Sequence, residues 1–89
     1  MPGVHATPEK LRAFAGQMQS YLKKLETETN SLQAAFRELK ADWRDAQGYS
    51  FERTLQDLAN AQSAFRENAN KQIPLLHQMA EDLERYLRR

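Results

Sequence analysis

Apolar side chains recur along this chain in alternating steps of four and three residues, the spacing that collects side chains on one side of an α-helix. One series runs from Leu11 to Trp43 and a second from Phe51 to Tyr86, and neither slips out of step. A seven-residue repeat sustained over such a length is typical of long helices that pack along a shared seam. The sequence therefore predicts an all-α protein built from two long helices.

The seam residues are those that we expect to fill the space between packed helices. Gln62 and Gln72 interrupt the second series with amides, and Ile73 lies one position away from it, so the second helix is the less regular of the two. The predicted seam of the hairpin or of a dimer contains Leu11, Met18, Leu22, Leu25, Leu32, Phe36, Leu39, Leu55, Leu58, Phe65, Leu76, Met79 and Leu83.

The start of the first helix is indicated by Thr7 and Pro8, a hydroxyl residue suited to capping followed by a proline suited to the first helical position. We expect this helix over about residues 8–43 and a flexible tail over residues 1–6. The periodicity then breaks over an elbow at about residues 44–50.

We expect the second helix to begin at residue 46 or 51 and to continue to about residue 88. Pro74 lies inside it, and because proline lacks an N–H and crowds the preceding turn, a kink is predicted near this residue. The whole chain, residues 1–89, is one domain. An elbow this short forces the two helices to lie antiparallel, as a helical hairpin.

A hairpin of this kind covers only part of each apolar stripe. Leu, Phe and Met side chains remain exposed along its length, which is unusual for a stable monomer. Packing two hairpins into a four-helix bundle covers them. We therefore predict a four-helix-bundle dimer, in which the partner is either a second copy or a different hairpin.

Composition excludes several classes of function. The 13 Lys and Arg residues nearly balance the 12 Asp and Glu residues, so the chain lacks the strong positive field that nucleic-acid binding needs. The absence of cysteine excludes disulfides, thiol catalysis and cysteine-based zinc sites. No apolar run is long enough for an integral membrane segment, and we expect no leader peptide at the start of the chain.

Catalytic and metal sites are not indicated. His77 lies four residues before Glu81, a spacing that we interpret as an exposed helical pair. Arg85, Arg88 and Arg89 lie in the last turn, where cations are favoured by the helix dipole. We predict that the chain is not an enzyme and takes no cofactor or metal.

The elbow carries the most informative residues. Trp43 ends the first seam and Phe51 begins the second, so we expect the two rings to plug this end of the hairpin. Asp45 is placed to cap the second helix, and Gly48 is placed to let the two backbones approach.

This arrangement of two seven-residue repeats, with Trp43 at the elbow and Phe51 eight residues later, resembles the WXG family of small helical hairpins. These are relatives of the early secreted antigenic target protein and are exported by type VII secretion systems. The resemblance covers nearly the whole chain. The family's glycine, two residues after the tryptophan, is replaced here by Asp45, and both residue types are acceptable at a helix N-cap.

The resemblance implies a non-enzymatic role as a secreted substrate, a co-secreted partner or a structural element of a type VII-like pathway. It implies pairing with itself or with another WXG-like hairpin, and a secretion ATPase as a further partner. Family members that carry the export signal have a tyrosine followed four residues later by an acid. Tyr86 is followed by no such acid, so the chain fits the signal-less subunit of a pair or a relative that stays in the cytoplasm.

Two alternatives belong to other functional classes. One is an intracellular coiled-coil adaptor or chaperone that binds a helix of a client protein. The other is a subunit of a secretion filament, since some needle-forming proteins are two-helix hairpins of this size. Turns in those proteins usually contain proline, which is absent between Trp43 and Phe51.

Overall fold

The structure, a computed structural model, describes residues 6–88. It contains two helices, α1 (Pro8–Asp42) and α2 (Ala46–Leu87), which lie antiparallel along their full length. The fold is thus the predicted all-α hairpin. The flexible tail that we predicted lies, except for Ala6, outside the described residues.

Helix α1 begins where its sequence predicts. The backbone N–H of Lys10 donates to Thr7 Oγ1 at 3.2 Å, and Pro8 takes the first helical position. The Thr7 hydroxyl satisfies one of the free backbone amides at the helix start. Pro8 has no N–H, so one fewer amide there needs a partner. Helix α1 ends at Asp42, and Trp43 has extended backbone angles.

The connection between the helices is shorter than the predicted elbow of residues 44–50. It consists of Trp43, Arg44 and Asp45, and α2 begins at Ala46, the earlier of the two starts that we considered. The reason is the cap at Asp45, which lets the helix start before the apolar series resumes at Phe51.

Helix α2 continues through Pro74, with helical residues on both sides. The missing N–H of Pro74 leaves the Asn70 carbonyl without its helical partner. Both residues are exposed, so water can take that place. The proline therefore costs one hydrogen bond without ending the helix.

The hairpin is a rod with extents of 67 × 19 × 16 Å. Its core is thin, because two helices in contact enclose little volume. Met18 and Leu76 pack against it from the edge. Among the described residues, the buried apolar side chains are Ala15, Leu22, Ala69, Ile73 and Ala80.

The inner side of α2 differs from its predicted seam. Ile73, which we placed outside the seam, is buried, whereas its neighbour Gln72 is exposed. Every second predicted position is shifted by one residue, to Glu52, Ala59, Arg66, Ile73 and Ala80. The residues of α2 that face α1 are Gly48, Glu52, Leu55, Ala59, Gln62, Arg66, Ala69, Ile73, Leu76, Ala80 and Leu83.

Size accounts for the shift at two of these positions. Ala59 and Ala80 let the two helix backbones come close, while the leucine or methionine one residue earlier would hold them apart. Large apolar side chains one residue earlier than the inner positions lie on the flank of α2. They include Phe51, Leu58, Phe65 and Met79, all exposed.

Candidate interaction surface

The elbow is organised by Asp45. Its Oδ1 accepts a hydrogen bond of 2.9 Å from the backbone N–H of Gly48, three residues into the next helix. The backbone of Asp45 is extended, with φ of −99° and ψ of −179°. Any residue adopts these angles, so no glycine is needed at this position. The carboxylate also carries negative charge at the positive end of the helix dipole.

Glycine is needed instead at position 48. A Cβ atom on Gly48 would lie 2.8 Å from the backbone oxygen of Trp43 and 3.4 Å from its ring. Gly48 is buried, and the contact with the Trp43 carbonyl involves backbone, which cannot swing away. The close approach of the backbone at Gly48 to the backbone at Trp43 therefore depends on the absence of a side chain at position 48.

The aromatic rings of Trp43 and Phe51 meet at the same end of the hairpin. Their centroids lie 5.6 Å apart with an interplanar angle of 46°. The indole is half-buried and the phenyl ring is 48% exposed, so this contact leaves much of Phe51 uncovered. The predicted elbow residues are thus brought together, with Phe51 at the edge of a larger exposed surface.

That surface, which we call the apolar face, follows one flank of the rod. Residues spaced by seven or eleven positions lie on one side of a helix. Within each helix, neighbouring residues of the apolar face are spaced by seven or eleven positions or by a multiple of seven. Their exposed fractions range from 38% to 54%. The apolar face consists of Phe14, Tyr21, Leu32 and Leu39 of α1 and Phe51, Leu58, Phe65 and Met79 of α2.

A contact between the helices shows that both rows lie on the same flank. The rings of Tyr21 and Phe65 meet edge to face, with centroids 6.4 Å apart and an interplanar angle of 87°. The two rows therefore form one continuous surface along the rod. Exposed apolar surface of this extent is typical of interaction sites.

Ion pairs link the two helices away from the apolar face. Lys40 and Glu52 form an ion pair of 2.8 Å across the helices, and each immediately follows a member of the apolar face. Successive residues of a helix point about 100° apart, so this pair is turned from Leu39 and Phe51 toward the seam, where Glu52 is half-buried. Arg12 and Glu84 form a second ion pair between the helices at the open end.

A polar pair interrupts the seam near the middle of the rod. Thr29 Oγ1 donates to the Leu25 carbonyl oxygen at 2.7 Å and also contacts the side-chain amide of Gln62 across the helices. The atom of Gln62 in this contact is the amide oxygen Oε1, so the single hydroxyl proton of Thr29 is shared between that oxygen and the Leu25 carbonyl oxygen. Sliding one helix along the other would separate these two half-buried polar side chains. Their contact therefore favours the observed alignment of α1 with α2.

Among residues 6–88 no charged side chain is fully buried, although Glu52 and Arg66 are half-buried between the helices. The pKa of Asp82 lies below its ordinary value because the carboxylate accepts hydrogen bonds from two side chains, of which Gln78 has the larger effect and Arg85 the smaller. Among residues 6–88, no group of three or more histidine or acidic side chains is arranged to hold a metal ion. Neither helix within this range is long and apolar enough to cross a membrane.

The comparison with known families decides where this hairpin belongs. The family model for WXG100, described as proteins of 100 residues with WXG, matches residues 3–86. This chain is a member of the WXG100 family. The resemblance inferred from Trp43 and Phe51 is thereby confirmed, and Asp45 is a departure within the WXG100 pattern.

Solved structures show the same fold. A crystal structure of a mutant of EsxB, a secreted protein from Bacillus anthracis str. Sterne, is 23% identical with a TM-score of 0.61, over 97% of this chain and 85% of that one. The wild-type EsxB gives a TM-score of 0.60 at the same identity and coverage. No curated protein sequence matches this WXG100 chain significantly.

The predicted seam residues divide into two groups in the structure. Eight of the thirteen lie buried or half-buried, and these are Leu11, Met18, Leu22, Leu25, Phe36, Leu55, Leu76 and Leu83. The other five lie on the apolar face, and these are Leu32, Leu39, Leu58, Phe65 and Met79. Phe14 and Tyr21 also belong to that face but stood outside the predicted seam. Their spacing of seven residues was the signal that could have placed them there.

Proposed function

We propose that this WXG100 chain is a non-enzymatic substrate, co-secreted partner or structural element of a type VII-like secretion pathway. It acts by packing its apolar face against another WXG100 hairpin. The observation that carries the proposal is that face, which runs along both helices of a chain in this family. The related EsxB fold belongs to a secreted protein, which is consistent with export of this chain.

Pairing explains why so much apolar surface is exposed in the hairpin. In a single hairpin, each helix covers one flank of the other helix, and the apolar side chains on the remaining flank stay exposed to water. A second hairpin placed on the apolar face completes a four-helix bundle, the arrangement that seven-residue repeats favour. The elbow then has a structural role, because the cap at Asp45 and the close approach at Gly48 set how the two rows of the face line up.

Export can be tested in the native host. The chain, expressed from its own locus with a small epitope tag, is measured in the culture medium of the parent strain and of a strain lacking the type VII ATPase. We expect it in the medium of the parent strain only. A cytoplasmic marker protein serves as the control for lysis.

A second arm tests whether pairing is part of this role. The variant with Leu58→Gln and Phe65→Gln removes apolar surface without adding charge, and Ser63→Gln changes an exposed polar residue between them. We expect the double variant to be retained in the cell and Ser63→Gln to be exported normally. Equal amounts of the chain in the medium of the parent strain and of the strain lacking the ATPase would count against the proposal. Its absence from the medium of both strains would also count against the proposal.

A further inference from the structure

One polar side chain lies within the row of apolar side chains that α2 contributes to the apolar face. Phe51, Leu58, Phe65 and Met79 follow one another at intervals of seven residues, except that one place between Phe65 and Met79 holds no apolar residue. Gln72 fills that place, seven residues from each of them. Residues seven apart lie on one side of a helix, so Gln72 projects from the same flank as its apolar neighbours.

The hairpin itself gives Gln72 no role. The other amide of the second apolar series, Gln62, is half-buried and contacts Thr29 of α1. Gln72 lies ten residues further along α2 and is exposed on the flank. Its amide is therefore open to water in a single hairpin, and any molecule that covers the flank takes that water away.

Covering the apolar face changes the surroundings of the Gln72 amide. This group has two N–H donors and a carbonyl acceptor. Against apolar side chains these atoms lose their hydrogen bonds to water without replacement, which weakens binding. Against another amide or a hydroxyl they are satisfied, and binding keeps most of its strength. A glutamine at this place therefore discriminates between partners that are otherwise equally apolar.

We propose that Gln72 selects the partner of the apolar face, favouring a hairpin whose facing side chain is an amide or a hydroxyl and disfavouring one that is apolar there. This inference rests on the proposed function, because it concerns the same face. In coiled coils, a polar side chain within an apolar seam fixes register and partner at a cost in stability. Gln72 has the corresponding place on the outer flank of α2.

The position of Gln72 along the rod increases its effect. The ring of Phe65 meets Tyr21, and Gln72 lies about 10 Å further toward the open end. It is thus inside the face, with Phe65 on one side and Met79 on the other. The centre of an interface excludes water, whereas a polar group at its rim stays hydrated and discriminates little.

The first measurement is self-association of the purified chain by sedimentation equilibrium, since a second copy presents mainly apolar side chains on its face. Gln72→Leu replaces the amide with an apolar side chain. We expect the dissociation constant of this variant to fall by about tenfold or more, because an unsatisfied amide is no longer buried. An unchanged or a larger dissociation constant overturns the inference.

Gln19→Leu is the matched control. Gln19 is also exposed, and it lies two residues before Tyr21 and five after Phe14. It therefore points about 140° or more away from both around α1, off the apolar face. The change should leave the dissociation constant within about twofold. A similar gain for both variants would show that added apolar surface alone drives association, and would overturn the inference.

Selection itself is tested with a displayed library of second copies. In this library the eight positions of the apolar face vary between leucine and glutamine, and all eight lie outside the hairpin core. The parent chain or its Gln72→Leu variant serves as the bait. We expect the parent to enrich glutamine at a position that faces residue 72 and the variant to enrich leucine there. Enrichment of the same sequences by both baits overturns the inference.

These results are separate from those of the export experiment. If Leu58→Gln with Phe65→Gln is retained in the cell while Gln72→Leu behaves as the parent chain does, the face has its proposed role and selection by Gln72 is overturned. ATPase-independent release would count against the proposed function and leave the binding results for Gln72 standing.

Discussion

Gly16 and Gly48, the two glycines within residues 6–88, have opposite roles. Gly48 is buried, and a Cβ atom there would lie 2.8 Å from the Trp43 carbonyl oxygen, whereas a Cβ atom on Gly16 would meet nothing within 4 Å. Gly48→Ala should therefore lower the free energy of unfolding by about 1–3 kcal/mol through overpacking. Gly16→Ala, the matched control, should raise it by about 0.5–1 kcal/mol because alanine favours the helix. Urea denaturation followed by circular dichroism measures both.

The close approach at the elbow is the feature that this pair of variants tests. Equal and positive effects for the two glycines would show that the backbones can separate at the elbow without cost. In that case Gly48 would be an ordinary helical residue, and the position of the second helix would depend on the Trp43 and Phe51 rings alone.

Asp45 stands where the family motif has glycine, and its geometry explains why the exchange is tolerated. The carboxylate caps α2 through the Gly48 N–H, and the backbone is extended. Asp45→Ala should lower the free energy of unfolding by about 1 kcal/mol, and Asp45→Gly, which restores the motif, by only a few tenths. Thermal melts at one chain concentration compare the two. A rise in stability for Asp45→Gly would contradict the capping role.

The contact of Thr29 with Gln62 is the polar link between the helices near the middle of the rod. Removing one partner leaves the other half-buried without its hydrogen bond, so Thr29→Val and Gln62→Leu should each destabilise the hairpin. The double variant should recover part of the loss, with a coupling of about 0.5–1.5 kcal/mol in a double-mutant cycle. Additive losses would show that the two side chains act independently.

Helix α2 illustrates what periodicity predicts and what it leaves open. The repeat of four and three predicted Phe65 at the seam, whereas the structure places Arg66 there and Phe65 on the flank. Packing contributes to this choice of edge, because Ala59 and Ala80 admit the neighbouring backbone where the preceding Leu58 and Met79 would not. The existence of both helices, their antiparallel order and the cap on α1 at Thr7 followed from local sequence signals.

The elbow was the most predictable part of the candidate site. Trp43 and Phe51 end and begin their series, and only one meeting place exists for them in a hairpin. The full apolar face was less predictable, since membership depends on exposure in three dimensions. Phe14 and Tyr21 stood outside the predicted seam, and the contact of Tyr21 with Phe65 shows that Tyr21 belongs to the face.

At the scale of the whole molecule, our proposal assigns association to the apolar face, whereas the seam holds the two helices of one hairpin together. Leu58→Gln combined with Phe65→Gln should weaken pairing by two orders of magnitude or more, since truncating central apolar anchors costs about 2 kcal/mol or more each. Helix content at high chain concentration should change little, because both side chains lie outside the hairpin core. Sedimentation equilibrium gives the dissociation constant.

The exposed polar residue Ser63 provides the control for this pair. Ser63→Gln should leave the dissociation constant within about twofold, as expected for a surface change away from the contact. A double variant that associates as tightly as the parent would place the interface elsewhere on the rod.

The thin core has a consequence for the life of the chain in a cell. Of the five buried apolar side chains among the described residues, three are alanines. A solitary copy therefore has little buried apolar area to hold its helices together, and such segments open readily to proteases. Binding of the proposed partner would shift that equilibrium toward the closed hairpin by mass action, so dilution would favour opening. We expect the abundance of the chain to follow the supply of its partner, with any excess removed by proteolysis.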